Sequence, residues 1–87
     1  MEILKNASAG TMESSDAYVE ITPGTGLNIR LESVVAQQFG DAIEQVVREV
    51  LSEQNVENAN VRVVDRGALE CVIRARVETA ILRGKEG

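Results

Sequence analysis

Apolar and polar positions alternate along the first part of the chain and change to a helical period further on. Ala17, Val19 and Ile21 fall on one face, with Tyr18 and Glu20 on the other, the period of a half-buried strand. Leu27, Ile29 and Leu31 repeat the alternation more cleanly. Between them Pro23-Gly24-Thr25-Gly26 is a strong turn signal. Two such runs joined by a short Pro/Gly loop predict a β-hairpin. Upstream, Ala7, Ala9 and Thr11 alternate with Ser8, Gly10 and Met12. These residues are mostly small and permit an extended segment lying close to a neighbour, with Gly10 marking a bulge or a close backbone approach. Glu13-Ser14-Ser15-Asp16 suits a turn, because Ser and Asp side chains bond local amides.

Ser33 is a candidate N-cap. After it, Val35, Phe39, Ala42, Ile43, Val46 and Val50 recur at helical spacing. Polar residues fill most of the remaining surface, and the helix is expected to end near Gln54-Asn55. Gly40 inside it costs roughly 1 kcal/mol relative to Ala, which a close approach to the sheet would offset. Val61 to Val64 reads as a short β-branched strand stopped by Asp65-Arg66-Gly67. The last segment carries two patterns. Cys71, Ile73, Ala75 and Val77 alternate as in a strand, whereas Leu69, Val72, Ile73, Val77, Ala80 and Ile81 fit a longer helix. Length, alanine content and the two arginines favour the helix. Lys85-Glu86-Gly87 reads as a frayed end. The expected order is β-β-β-α-β-α, an α+β fold with a small, largely antiparallel sheet and two helices on one face. With no repeat, linker or low-complexity tract, residues 1–87 are expected to form a single domain.

Composition narrows the chemistry. Eighty-seven residues leave little room for a deep catalytic pocket inside one core. Tyr18 and Phe39 are the only aromatic residues, so the core must be aliphatic. The net charge of −5 argues against a general nucleic-acid binder and against a polybasic membrane-surface protein. It suits a protein that visits basic clefts on partners. Cys71 is the single cysteine, so no internal disulfide forms, and its apolar segment predicts a buried structural thiol. No apolar run is long enough to span a bilayer and no signal-peptide core opens the chain, which makes the cytoplasm the expected location.

Candidate chemistry concentrates at Ser14 and Ser15. A nucleophilic serine needs a base, the chain has no His, and Lys5 and Lys85 lie at its ends. Self-contained catalysis is therefore not expected, and no metal-ligand cluster stands out. A hydroxyl on an accessible loop is suited to attachment by another enzyme, and equally both serines simply shape the turn. Glu13 and Asp16 flank them. Such a pair can serve acid–base or cation-binding roles, but two carboxylates on a small exposed loop are usually solvated. Gly24-Thr25-Gly26 leads into a strand rather than a helix, so it is not a phosphate-cradling loop. Glu70 and Arg74 have the spacing of an ordinary helix ion pair.

Three stretches together resemble the citrate lyase acyl carrier protein family, the gamma chain of the bacterial lyase. They are Ala9-Gly10-Thr11-Met12-Glu13-Ser14-Ser15-Asp16, Gln38-Phe39-Gly40-Asp41-Ala42-Ile43, and residues 65–78 from Asp65-Arg66-Gly67 through Arg74-Ala75-Arg76-Val77-Glu78. The resemblance covers nearly the whole chain. It implies a non-catalytic carrier subunit in citrate fermentation. Its arm, 2′-(5″-phosphoribosyl)-3′-dephospho-CoA, would be joined through a phosphodiester to the serine after Thr-hydrophobic-Glu, which is Ser14. It further implies an alpha chain that exchanges acetyl for citryl on the arm's thiol, a beta chain that cleaves the citryl group to leave acetyl-carrier and oxaloacetate, and a transferase that attaches the arm. Glu13 and Asp16 would then form a recognition shell for partners. The family often has Gly after the modified serine, where this chain has Ser15, so Ser15 stands as the second candidate hydroxyl. An extended tail carried by some relatives beyond the last helix is not seen here, which would bear on docking. Related carriers of malonate decarboxylase or citramalate lyase fit the same pattern, and an unmodified protein-interaction domain is the reading from another class.

Overall fold

A computed structural model describes residues 2–34 and 36–85. In strand β2 (Ala17–Thr22) the alternation becomes burial: Ala17, Val19 and Ile21 are fully buried and the residues between them half-buried. Strand β1 (Ala7–Gly10) pairs antiparallel with β2, so the weakly patterned start of the chain is an edge strand. Strand β3 (Leu27–Ser33), helix α1 (Ala36–Glu53), strand β4 (Ala59–Asp65) and helix α2 (Glu70–Lys85) follow. The order is the expected β-β-β-α-β-α.

The pairing departs from expectation at one place. The sheet runs β1-β2-β4-β3, so β2 and β3 do not form a hairpin. β4 inserts between them, antiparallel to β2 and parallel to β3. Two of the three pairings are thus antiparallel and the sheet is mixed. The physical reason lies in β4 itself. Val61, Val63, Val64 and Asp65 are all buried, the profile of a strand with neighbours on both sides. The parallel β3–α1–β4 connection is made by a helix, as parallel strands require.

Both helices cover one face. α2 lies over β1 and β2, and α1 packs on β3 and against α2. The core is aliphatic, with Ile21, Leu51, Ile81, Val19, Val47, Val63 and Val77 among its fully buried side chains. Burial of each contributes roughly 1.5–3 kcal/mol. On α1 the buried stripe is Ile43, Val46, Val47, Val50 and Leu51. Phe39, expected on that stripe, is 53% exposed, because it lies one turn before Ile43, towards the start of the helix, and lines an open cleft rather than the core. Val35 lies outside the described residues. The helix ends at Glu53 as expected. Asn55 takes a left-handed φ of 58°, the Val56 N–H donates to the Leu51 carbonyl and the Asn55 N–H to Ser52, a Schellman closure. Ser33, read as an N-cap, is the last residue of β3, and its hydroxyl donates to Asp65 Oδ2 at 2.8 Å.

In α2 the buried residues are Ile73, Val77, Ala80, Ile81 and Gly84, which confirms the helix. Cys71 is exposed, contrary to the expected buried thiol. Two residues before Ile73, it sits about 200° around the helix from the buried stripe. Lys85 is the last helical residue, while Glu86 and Gly87 lie outside the described residues. The other face of the sheet is polar. Arg62 there bridges Glu20 at 2.6 Å and Glu32 at 3.0 Å, and these carboxylates raise its pKa further above the usual arginine value. Among the described residues no helix is long and apolar enough to cross a membrane.

Candidate functional site

Residues 11–16 connect β1 to β2 and form the true hairpin loop of the fold. Its entry depends on Gly10, whose φ is 94°. A Cβ there would lie 1.9 Å from the Ala17 carbonyl oxygen, so no larger residue fits without moving backbone. At the exit, Asp16 is the hub. The Thr11 hydroxyl donates to Asp16 Oδ2 at 2.6 Å, and the Ala17 N–H donates to Oδ1 at 2.7 Å. Arg76 on α2 closes a two-pronged contact, Nε to Oδ1 at 3.1 Å and Nη2 to Oδ2 at 3.0 Å. The Asp16 side chain is only 17% exposed. The Thr11 hydrogen bond, then the Arg76 fork and the Ala17 amide, hold its pKa down at about 2.

The backbone adds a second clamp. The Ser15 N–H donates to the Arg66 carbonyl at 2.8 Å, and the Arg66 N–H donates to the Asp16 carbonyl at 3.0 Å. Arg66 follows β4, so the loop is tied to the end of the central strand. That end is itself fixed by Asp65, the one buried charged residue described. Asp65 Oδ1 accepts from the Gly67 and Ala68 amides and Oδ2 from Ser33, so it shapes the turn into α2 and ties down the end of β3.

Ser14 stands at the tip of this braced loop. It is exposed, and its hydroxyl has no hydrogen-bond partner among the described residues. Glu13 is exposed too, and its amide donates to Thr11 Oγ1 at 3.3 Å. Ser15 is exposed but takes a φ of 66°, a left-handed conformation that favours glycine. The expected recognition shell is therefore half corrected. Glu13 faces solvent, whereas Asp16 is turned inward and consumed by Thr11 and Arg76. A carboxylate held at about 2 is also a poor base. The acid–base role open to such a pair finds no support in this geometry, and among the described residues no side chain hydrogen-bonds to Ser14 to activate it. Sequence reading missed Arg76 and Asp65 as the residues that position the loop. Arg76 sits 60 positions from Asp16 and gave no local sign. Asp65 ahead of Gly67 carried only a turn signal.

Comparison with known proteins places this arrangement. Residues 4–84 match the acyl carrier family model described as malonate decarboxylase delta subunit (MdcD). The citrate lyase acyl carrier protein of Escherichia fergusonii is 56% identical, over 99% of this chain and 91% of that protein. The chain belongs to the citrate lyase acyl carrier protein family. Citrate lyase acyl carrier protein 2 of Salmonella typhimurium is 57% identical with the same coverage, and the citrate lyase acyl carrier protein of Klebsiella pneumoniae is 54% identical. Among solved structures, a chain of a Pseudomonas malonate decarboxylase hetero-tetramer in complex with malonate superimposes with a TM-score of 0.82. It covers 95% of this chain and 87% of that one at 21% identity, a likeness of fold.

Proposed function

We propose that this chain is the acyl carrier subunit of citrate lyase and that Ser14 is its point of covalent attachment. The observation that carries the reading is the free, exposed Ser14 hydroxyl at the tip of an otherwise locked loop, in a chain 54–57% identical to named citrate lyase carriers. A modifying enzyme must close around its target, and a braced loop with an exposed hydroxyl at its tip suits that. The group joined there is 2′-(5″-phosphoribosyl)-3′-dephospho-CoA. It supplies a thiol that carries acetyl and citryl groups as thioesters between the alpha (transferase) and beta (lyase) subunits.

What this chain contributes is position. Gly10 lets the hairpin close tightly, and Arg76 with Thr11 keeps Asp16 ionised and engaged. Ser14 Oγ is left without an internal base, so the base that takes its proton belongs to the attaching transferase. The carrier itself is not a catalyst. A single domain, 1–87, in the cytoplasm suffices, because a long tether raises the effective concentration of cargo at each partner. Nucleic acid and membrane have no part in it.

Intact-mass measurement of protein from citrate-fermenting host cells tests this. The expected result is a mass increase matching the arm, mapped to Ser14, lost in Ser14→Ala and retained in Ser15→Ala. An unmodified mass would leave a plain interaction domain, and a group mapped to Ser15 would overturn the assignment. The likeness of fold to a malonate decarboxylase chain supports a second reading, a carrier with another acyl cargo such as malonyl. A citramalate cargo is a third. The acyl group recovered from the thiol separates these.

A further inference from the structure

Six large apolar side chains are exposed among the described residues: Leu4, Met12, Val34, Phe39, Leu69 and Leu82. Four of these gather at the end of the molecule that carries Ser14. Met12 lies in the serine loop itself. Val34 is tied to the end of β4 by its N–H, which donates to the Asp65 carbonyl at 3.3 Å. Leu69, 71% exposed, sits in the turn that Asp65 organises. Phe39 lines a cleft of about 240 Å³ with Ile43, Val46, Asp65, Ala68 and Ile73. Arg66 ties this turn to Ser15 and Asp16 through backbone hydrogen bonds, so the turn that carries Leu69 and the serine loop sit at the same end of the sheet. Leu4 and Leu82 lie apart, near the end of α2, where the Leu4 N–H donates to the Gly84 carbonyl.

A chain with a single Phe that leaves it more than half exposed, in a cleft shared with Asp65 at the end of β4 to which the serine loop is tied, presents a contact surface there. Exposed apolar clusters rimmed by polar residues mark interaction sites, and a buried aromatic anchor dominates their energetics. Here the rim holds Glu13, Arg66 and Glu70, all exposed.

We infer that Met12, Val34, Phe39 and Leu69 form the docking surface for the enzyme that attaches the prosthetic group, which meets them with an apolar recess. This rests on the reading of Ser14 as the anchor. Geometry selects this partner over the alpha and beta subunits. The attaching enzyme must bring its reacting atoms to Ser14 Oγ and so must cover the surface around it. The lyase subunits act at the thiol, at the far end of a long arm, and need not touch the loop.

The test is steady-state transfer by the host's prosthetic-group transferase with its activated phosphoribosyl-dephospho-CoA donor, read by intact mass at varied carrier concentration. Phe39→Ser and Leu69→Ser, each checked for an unchanged circular dichroism spectrum, should raise KM for the carrier roughly tenfold with kcat little altered. Leu82→Ser, an exposed leucine outside the patch, should behave as the natural chain does. Unchanged KM in both patch variants, with the natural chain modified normally, overturns the docking surface and leaves Ser14 as anchor. Normal transfer combined with weakened binding to the alpha or beta subunit assigns the patch to that subunit and likewise overturns it. A natural chain that accepts no group brings down the Ser14 reading, and this inference with it.

Discussion

The two loops that leave β2 make an instructive pair. Residues 23–26, after the strand, carry the loudest turn signal in the chain, yet the strands they join are not neighbours. Asn58 Oδ1 accepts from the Gly26 N–H at 2.9 Å, the Gly26 carbonyl accepts from Ala59, and Asn60 Nδ2 donates to the Pro23 carbonyl at 3.4 Å. The start of β4 thus fills the gap that a hairpin would have closed. Residues 11–16, before the strand, read as a plain polar turn, yet they are the hairpin and the candidate site. Turn composition tells where a chain changes direction. It does not tell which strand it then pairs with, because pairing is decided by burial along whole strands.

The loops also differ in what holds them, and four changes measure that difference. The largest effect is expected from Gly10→Ala. Its Cβ would lie 1.9 Å from a backbone oxygen at a φ of 94°, and a cost of about 3–5 kcal/mol in chemical denaturation is expected from the strain and the displaced strand. A loss below 1 kcal/mol would mean that β1 is not held to β2 as described.

Next comes Arg76→Met, which removes the fork on Asp16 while keeping most of the side-chain volume. Transfer to Ser14 should fall on the order of tenfold, since a mispositioned loop loses orientation, whereas the global fold persists. The pH response sharpens this. Asp16 is lowered from 3.8 to about 2 in the folded chain, so its contribution is complete above pH 3.8 and is lost as pH falls towards 2. In Arg76→Met the contribution should be smaller and its loss complete at a higher pH, read from a raised midpoint of the Asp16 carboxyl resonance. An unchanged midpoint would show that Thr11 and the Ala17 amide alone set it.

A smaller effect is expected from Gly26→Ala in the other loop. Its φ is 72° but a Cβ there meets nothing within 4 Å, so only the left-handed conformation counts, about 1–2 kcal/mol. Attachment to Ser14 should be untouched. The smallest change belongs to Ser15→Gly. It relieves a φ of 66° but adds unfolded-state freedom, and the two nearly cancel to within about 1 kcal/mol. Modification should proceed as in the natural chain. A block would mean that the Ser15 side chain, not only its backbone, takes part.

Much of the fold was legible because burial follows period. The faces of β2 and β3, the aliphatic core and the helical reading of the last segment all came from spacing. The β2–β3 pairing was not legible, since adjacency in sequence argues for a hairpin and the competing strand lies beyond an 18-residue helix. Phe39 and Cys71 misled for a related reason. Phe39 keeps the helical spacing but falls where there is no core to cover it, and Cys71 shares a strand-like alternation with Ile73 that a helix breaks. At the site, Ser14 was visible as a hydroxyl in a turn. The role of Asp16 was not, because an exposed-looking carboxylate became a half-buried hub only through an arginine 60 positions along the chain.

The insertion of β4 has a consequence for the order of events during synthesis. β4, an inner strand of the sheet, is the last of the four described strands to leave the ribosome, and α2 follows it. Until then β1 and β2 can close on each other, but β2 and β3 expose unpaired edges and Asp16 has no arginine to meet. Contacts so distant along the chain form late. The serine loop therefore reaches its final shape only once Arg76 on α2 has been made. On the proposed reading, a chain that has not yet reached Arg76 would lack the loop shape that an attaching enzyme recognises, and attachment at Ser14 would wait for α2.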